Sequence, residues 1–217
     1  MINKIIIADD HPLFRSALTS GVSMEFEQCE IIEVDSCSSL RESVGKHDDC
    51  DLILLDLCMP GVHGFSGLIF LRAQYPDIPV VIISGTEDVE TVRQAIDYGA
   101  AGYIIKSSSL LEIVKALKMV LGGGLYLPSD MVEDVKKAKP EKDEFAICLG
   151  NLTPKQFTVL SYMAEGMLNK QIAAQIQVSE ATVKAHVTAI LNKLNVSSRT
   201  QAVIALKGMD ISEGAGQ

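Results

Sequence analysis

The feature that most narrows the fold is an alternation repeated over the first 124 residues. Short aliphatic, β-branched runs are each followed by an amphipathic stretch of helical period. The runs are Lys4–Ala8 (KIIIA), Glu30–Val34, Leu52–Leu55, Val80–Ile83 and Tyr103–Ile105. Continuous apolar runs suit strands covered on both faces. The stretches between them, Leu13–Val22, Ser39–Lys46, Phe65–Gln74, Val89–Tyr98 and Leu110–Leu121, read as helices. Five βα units predict an α/β architecture, a doubly wound five-stranded parallel sheet with right-handed crossovers. Gly99 stands where a helix C-cap glycine is expected.

In such sheets ligands bind outside the carboxyl ends of the strands. Strand one is followed by Asp9 and Asp10, strand three by Asp56, strand four by Ser84 and strand five by Lys106. Three crowded carboxylates repel unless a cation sits among them. Hard oxygen ligands with room for water and phosphate favour Mg²⁺. A metal and a lysine together would neutralise a phosphoryl group arriving on one carboxylate, which can itself act as nucleophile. His11 and His63 flank this rim and read as surface or loop histidines.

Gly122-Gly123-Gly124 ends the pattern, and residues 125–150 mix Pro128, Pro140 and a charged run into an extended or partly helical linker. A surface helix over Ser129–Ala138 is an equal reading. From Leu152 the pattern is purely helical. Thr153 caps a helix that starts at Pro154 and ends at Gly166. A second helix covers about Asn169–Ile176, a third, capped by Ser179, about Glu180–Leu194, and a fourth, capped by Ser198, about Arg199–Lys207. Four short helices make a compact bundle. Ile172, Ala173 and Ile176, then Val183, Val187, Ile190, Leu191 and Leu194, form the buried faces. Val203, Ile204 and Leu206 are expected to expose an apolar face to a second copy.

Charge separates the two halves. Residues 1–124 carry 9 Lys and Arg against 18 Asp and Glu, whereas residues 151–217 carry 6 against 4. Two modules with different partners would divide this way. The 5 cysteines form no C-x-x-C pair, which excludes a disulfide framework or zinc site and fits a reduced compartment. No apolar run approaches the roughly 20 residues of a membrane helix, and the N-terminus is no signal peptide. A cytoplasmic protein without a membrane partner is expected.

The segments ADDHPLFR (Ala8–Arg15), LLDLCMPGVHG (Leu54–Gly64), IISG (Ile82–Gly85) and GAAGYIIK (Gly99–Lys106) resemble the receiver domain of response regulators. The resemblance implies a flavodoxin-like receiver with Asp56 as phosphoacceptor. It also implies Mg²⁺ held by Asp9, Asp10, Asp56 and the Cys58 backbone carbonyl. Ser84 and Lys106 would bind the phosphoryl group, and Tyr103 would be the aromatic switch. Ser107 replaces the proline that many receivers carry after the lysine. Residues 151–206 resemble the LuxR-type helix-turn-helix, and the pair together resembles the NarL/FixJ class.

The outer face of the third helix presents Lys184, Ala185 and Thr188, which a helix lying in the major groove would aim at base edges, while Thr182, Asn169, Lys170 and Ser179 stand at or near helix N-termini that meet phosphates and His186 reads equally as a phosphate contact or a packing residue. The implied division is a receiver over 1–124, a linker over 125–150 and a DNA-binding domain over 151–217. The implied function is a transcription factor, not a turnover enzyme. Its implied partners are a sensor histidine kinase, promoter DNA and a second copy of itself. The alternatives are an aspartyl-phosphate phosphatase, a phosphorylation-independent regulator and a protein-interaction module without DNA contact.

Overall fold

The computed structural model describes residues 2–137 and 143–209. Residues 138–142 of the expected linker, and 1 and 210–217 at the outer ends of the two expected domains, lie outside the described residues. The first half runs β1 (Lys4–Ala8), α1 (Pro12–Glu25), β2 (Glu30–Val34), α2 (Cys37–Lys46), β3 (Leu52–Asp56), α3 (Ser66–Gln74), β4 (Val80–Ser84), α4 (Val89–Asp97), β5 (Gly102–Ile105) and α5 (Leu110–Leu121). The strands form one parallel sheet in the order β2-β1-β3-β4-β5. The chain reverses its direction of winding between β1 and β3, so the crevice for a ligand opens at their carboxyl ends.

Period-two alternation splits the strands between two cores. Ile5, Ile7, Leu52, Leu54, Val81 and Ile83 pack with Leu18 and Val22 of α1 and Leu117 and Val120 of α5. Ile6, Ala8, Ile53, Leu55, Val80, Ile82 and Tyr103 pack on the opposite face with α2, α3 and α4. Both faces are covered, which is why every strand but the edge strand β2 reads as an unbroken apolar run. The sheet edge at β5 is also closed: Tyr103 N donates to Tyr126 O at 2.9 Å, and Gly102 leaves room for that approach.

The second half contains α6 (Val132–Lys137), α7 (Glu144–Gly150), α8 (Pro154–Ala164), α9 (Asn169–Gln175), α10 (Glu180–Lys193) and α11 (Arg199–Lys207). α7 has no counterpart in the sequence reading, being too short to show a period. Asp143 caps it by accepting from Phe145 N at 2.9 Å and Ala146 N at 3.2 Å. In the bundle Val183, Ile190 and Leu194 are buried as expected. One expectation fails: Leu206 is buried against the bundle and Val203 is half-buried, leaving Ile204 as the exposed apolar residue of α11. A nine-residue helix packed on α8 cannot show all three to solvent. No helix among the described residues is long and apolar enough to cross a membrane.

Candidate functional site

β1 and β3 are neighbours in register, so Asp9, which follows β1, and Asp56, which ends β3, arrive side by side. Both are buried. Lys106, which follows β5, bridges them: its Nζ lies 2.8 Å from Asp9 Oδ2 and 2.8 Å from Asp56 Oδ2. The Phe14 ring lies beneath the ammonium, 5.1 Å away, a cation–π arrangement. The Cys58 amide donates to Asp56 Oδ1 at 3.2 Å. Burial raises the Asp56 carboxyl above the usual carboxylate range, against the hydrogen bond and charge of Lys106. Burial alone would lower the Lys106 pKa, but the hydrogen bonds and charges of Asp56 and Asp9 together raise it.

Ser84 ends β4 and is fully buried; its Oγ accepts from Thr86 N at 3.2 Å. Tyr103 is buried, and its hydroxyl donates to Thr86 O at 2.9 Å. Desolvation pushes the Tyr103 phenol up to about 12. The hydroxyl of Ser84 and the ring of Tyr103 therefore meet on one residue of the β4–α4 loop. Ser107, directly after Lys106, donates its hydroxyl to Glu87 Oε1 at 2.9 Å and ties this loop to the one after β5.

Asp10 is half-exposed, and His11 sits beside it with Nδ1 2.8 Å from Asp10 Oδ1 and 3.4 Å from Asp9 Oδ1. One ligand atom each from Asp9, Asp10, His11 and Asp56 lies within 4.8 Å of the others. Hard carboxylate oxygens at such spacing fit a divalent cation. The sequence set His11 aside because a histidine after a strand is common on surfaces. Its position directly after the acidic pair was the available signal.

The residues expected to meet DNA fall on the helix-turn-helix formed by α9 and α10. Thr182, Lys184, Ala185 and Thr188 are exposed on α10, and His186 is half-buried. Ser179 caps α10 by accepting from Thr182 N at 3.1 Å. Lys184 pairs with Glu180 at 3.1 Å, and the Thr188 hydroxyl donates to Lys184 O at 3.1 Å. Lys170 is exposed near the start of α9, whereas Asn169 accepts from Arg199 at 3.3 Å. Gln156 Oε1 accepts from Lys193 Nζ at 2.9 Å and ties α8 to α10.

α7 and α8 both pack on α3 of the sheet domain, and the exposed residues of α10 stay uncovered. The Phe157 ring stacks on Phe70 at 4.6 Å with the Arg41 guanidinium 5.7 Å from its centroid. Arg41 also donates to Ser161 Oγ at 3.3 Å, and Gln74 to Leu152 O at 3.2 Å.

A flavodoxin-like sheet with an acidic, lysine-bridged rim, followed by a helix-turn-helix bundle, defines a receiver joined to a DNA-binding module. The response regulator receiver domain family matches residues 5–118, and the bacterial regulatory protein luxR family matches residues 150–206. The chain belongs to the NarL/FixJ-type response regulators, which combine a receiver with a LuxR-type DNA-binding domain and are transcription factors rather than classical enzymes.

It is 47% identical over 214 residues to the glycerol metabolism activator of Pseudomonas putida, covering 96% of this chain and 97% of that protein. It is 32% identical over 209 residues to the nitrate/nitrite response regulator protein NarL of Escherichia coli, covering 92% and 93%. In structure it resembles the response regulator RcsB solved in complex with DNA, with a TM-score of 0.58 and 21% identity over 96% of this chain and 99% of that one, a likeness of fold.

Proposed function

We propose that Asp56 is the phosphoacceptor of this response regulator and that its phosphorylation controls dimerisation and sequence-specific binding to promoter DNA. The observation that carries this reading is the buried pair Asp9 and Asp56 bridged at 2.8 Å by Lys106 at the sheet's ligand-binding end. A sensor histidine kinase, or a small acyl phosphate, is the donor. An Asp56 carboxylate oxygen attacks phosphorus, the P–O bond to Asp56 forms, and the bond to the donor's nitrogen or oxygen breaks with its electrons leaving on the donor. Hydrolysis of that acyl phosphate returns Asp56, so the chain undergoes self-phosphorylation and autodephosphorylation without turning over a separate substrate.

Asp9, Asp10, Asp56 and the Cys58 carbonyl are the residues that would hold Mg²⁺, which supplies positive charge against the phosphoryl oxygens. Lys106 gives up its bond to Asp56 Oδ2 and takes a phosphoryl oxygen instead. Ser84 binds another oxygen, and Tyr103 follows through the loop that both residues touch, shifting a two-state equilibrium. α10 enters the major groove with Lys184, Ala185 and Thr188, while Thr182, Ser179, Asn169 and Lys170 stand near the phosphates with His186 beside them. The receiver spans residues 1–124, the linker 125–150 and the DNA-binding domain 151–217, in the cytoplasm and away from any membrane.

Treatment with acetyl phosphate and Mg²⁺ should add one phosphoryl mass to the wild-type chain and none to Asp56→Asn. Persistent labelling of Asp56→Asn would remove Asp56 from this role. Sizing and DNA footprinting of the same samples test dimerisation and DNA contact.

A further inference from the structure

We propose that His11 is a nitrogen ligand of the rim's cation site and tunes it toward first-row transition ions over Mg²⁺; this rests on the reading of the acidic rim as a cation site. His11 Nδ1 lies 2.8 Å from Asp10 Oδ1, 3.4 Å from Asp9 Oδ1 and 3.9 Å from Asp56 Oδ2. An octahedral ion with bonds of about 2.0–2.2 Å sets adjacent ligand atoms about 3 Å apart and opposite ones about 4.2 Å apart. The 2.8 Å spacing matches an adjacent pair, 3.9 Å lies near an opposite pair, and 3.4 Å falls between the two.

The nitrogen is held in place by the backbone. The His11 amide donates to Asp9 Oδ1 at 2.7 Å, and Pro12 opens α1 immediately after it. The imidazole has no other duty in the helix: it makes no cap bond there, and the side chain is 63% exposed. Lys106 Nζ lies 3.5 Å from the same nitrogen, so that ammonium occupies the region that a bound ion would share. Mg²⁺ prefers oxygen and keeps its waters, whereas imidazole suits Ni²⁺ and its neighbours. An all-carboxylate rim would lack this preference. His11 adds it without removing any oxygen ligand.

The test is calorimetric titration of the full tag-free chain with Mg²⁺ and separately with Ni²⁺, in wild type, His11→Ala and Asp10→Asn. The expected result is a fall of about tenfold or more in the Ni²⁺-over-Mg²⁺ affinity ratio for His11→Ala, with Mg²⁺ affinity changed less than about threefold. Asp10→Asn should weaken both ions, and Ni²⁺ on other histidines is what survives in it. If Asp10→Asn weakens both ions but His11→Ala leaves the ratio unchanged, His11 is no ligand and this inference alone is overturned. If Asp10→Asn leaves Mg²⁺ binding intact, or wild type binds no Mg²⁺, the rim is not the cation site and both readings fall.

Discussion

Burial works against an ionised Asp56. Burial raises its carboxyl pKa, and Lys106 only partly offsets this. A folded value above the unfolded one of about 3.9 means a contribution fully present below that pH and lost as pH rises through the folded value. The ionised form of the group therefore opposes folding. Asn at position 56 should raise the urea midpoint measured in a chelator, because Lys106 retains Asp9 as a partner; a lowered midpoint would contradict the burial argument. Tyr103 shows the same sign at higher pH. With its phenol pushed up to about 12, its contribution is complete below about pH 10 and is lost as pH climbs toward that value. A spectrophotometric titration at alkaline pH should show a late-ionising phenol that Tyr103→Phe removes. Asp56 was readable from its place at the end of a strand, and Tyr103 only from the resemblance to receiver domains. Their protonation costs were not, since burial depends on what the rest of the chain lays over them.

Each helix of the bundle begins with a local signal and is oriented by a distant one. Thr153 accepts from Gln156 N at 3.3 Å while Gln156 Oε1 accepts from Thr153 N at 3.0 Å, a reciprocal cap written in the order T-P-K-Q. Thr153→Ala should cost about 1 kcal/mol, read as a lower denaturation midpoint with unchanged slope. The bond from Lys193 to the same Gln156 oxygen spans 37 residues and sets how α8 meets α10. Nothing local announces it. The apolar face expected on α11 failed for the same reason: helical period shows which residues share a side, and only the neighbouring α8 decides how much of that side is covered. α7 was invisible to period because two turns are too few, although Asp143 is an ordinary capping residue.

Across the whole molecule, the two modules are held together away from α10. Phe157, stacked between Phe70 and Arg41, belongs to a core that runs from the sheet domain into the bundle. A second tie joins the end of α4 to α7, where the Tyr98 hydroxyl donates to Asp143 Oδ2 at 2.8 Å. Tyr98→Phe should keep the ring packed on Phe65 and the cap on α7, costing about 1 kcal/mol. Hydrogen exchange should quicken over residues 144–150 and not in β3 or β4; uniform quickening would show that the bond is not a local tie.

The amino-acid order alone determined the βα alternation, the helix-turn-helix and the acidic rim. Apolar period, caps and strand ends are properties of residues close together in the chain. Only the tertiary structure decided that α8, not α10, faces the receiver, that Leu206 is buried, and that Asp56 meets His11. Each of these depends on the distance between groups remote in sequence, and packing alone sets that distance.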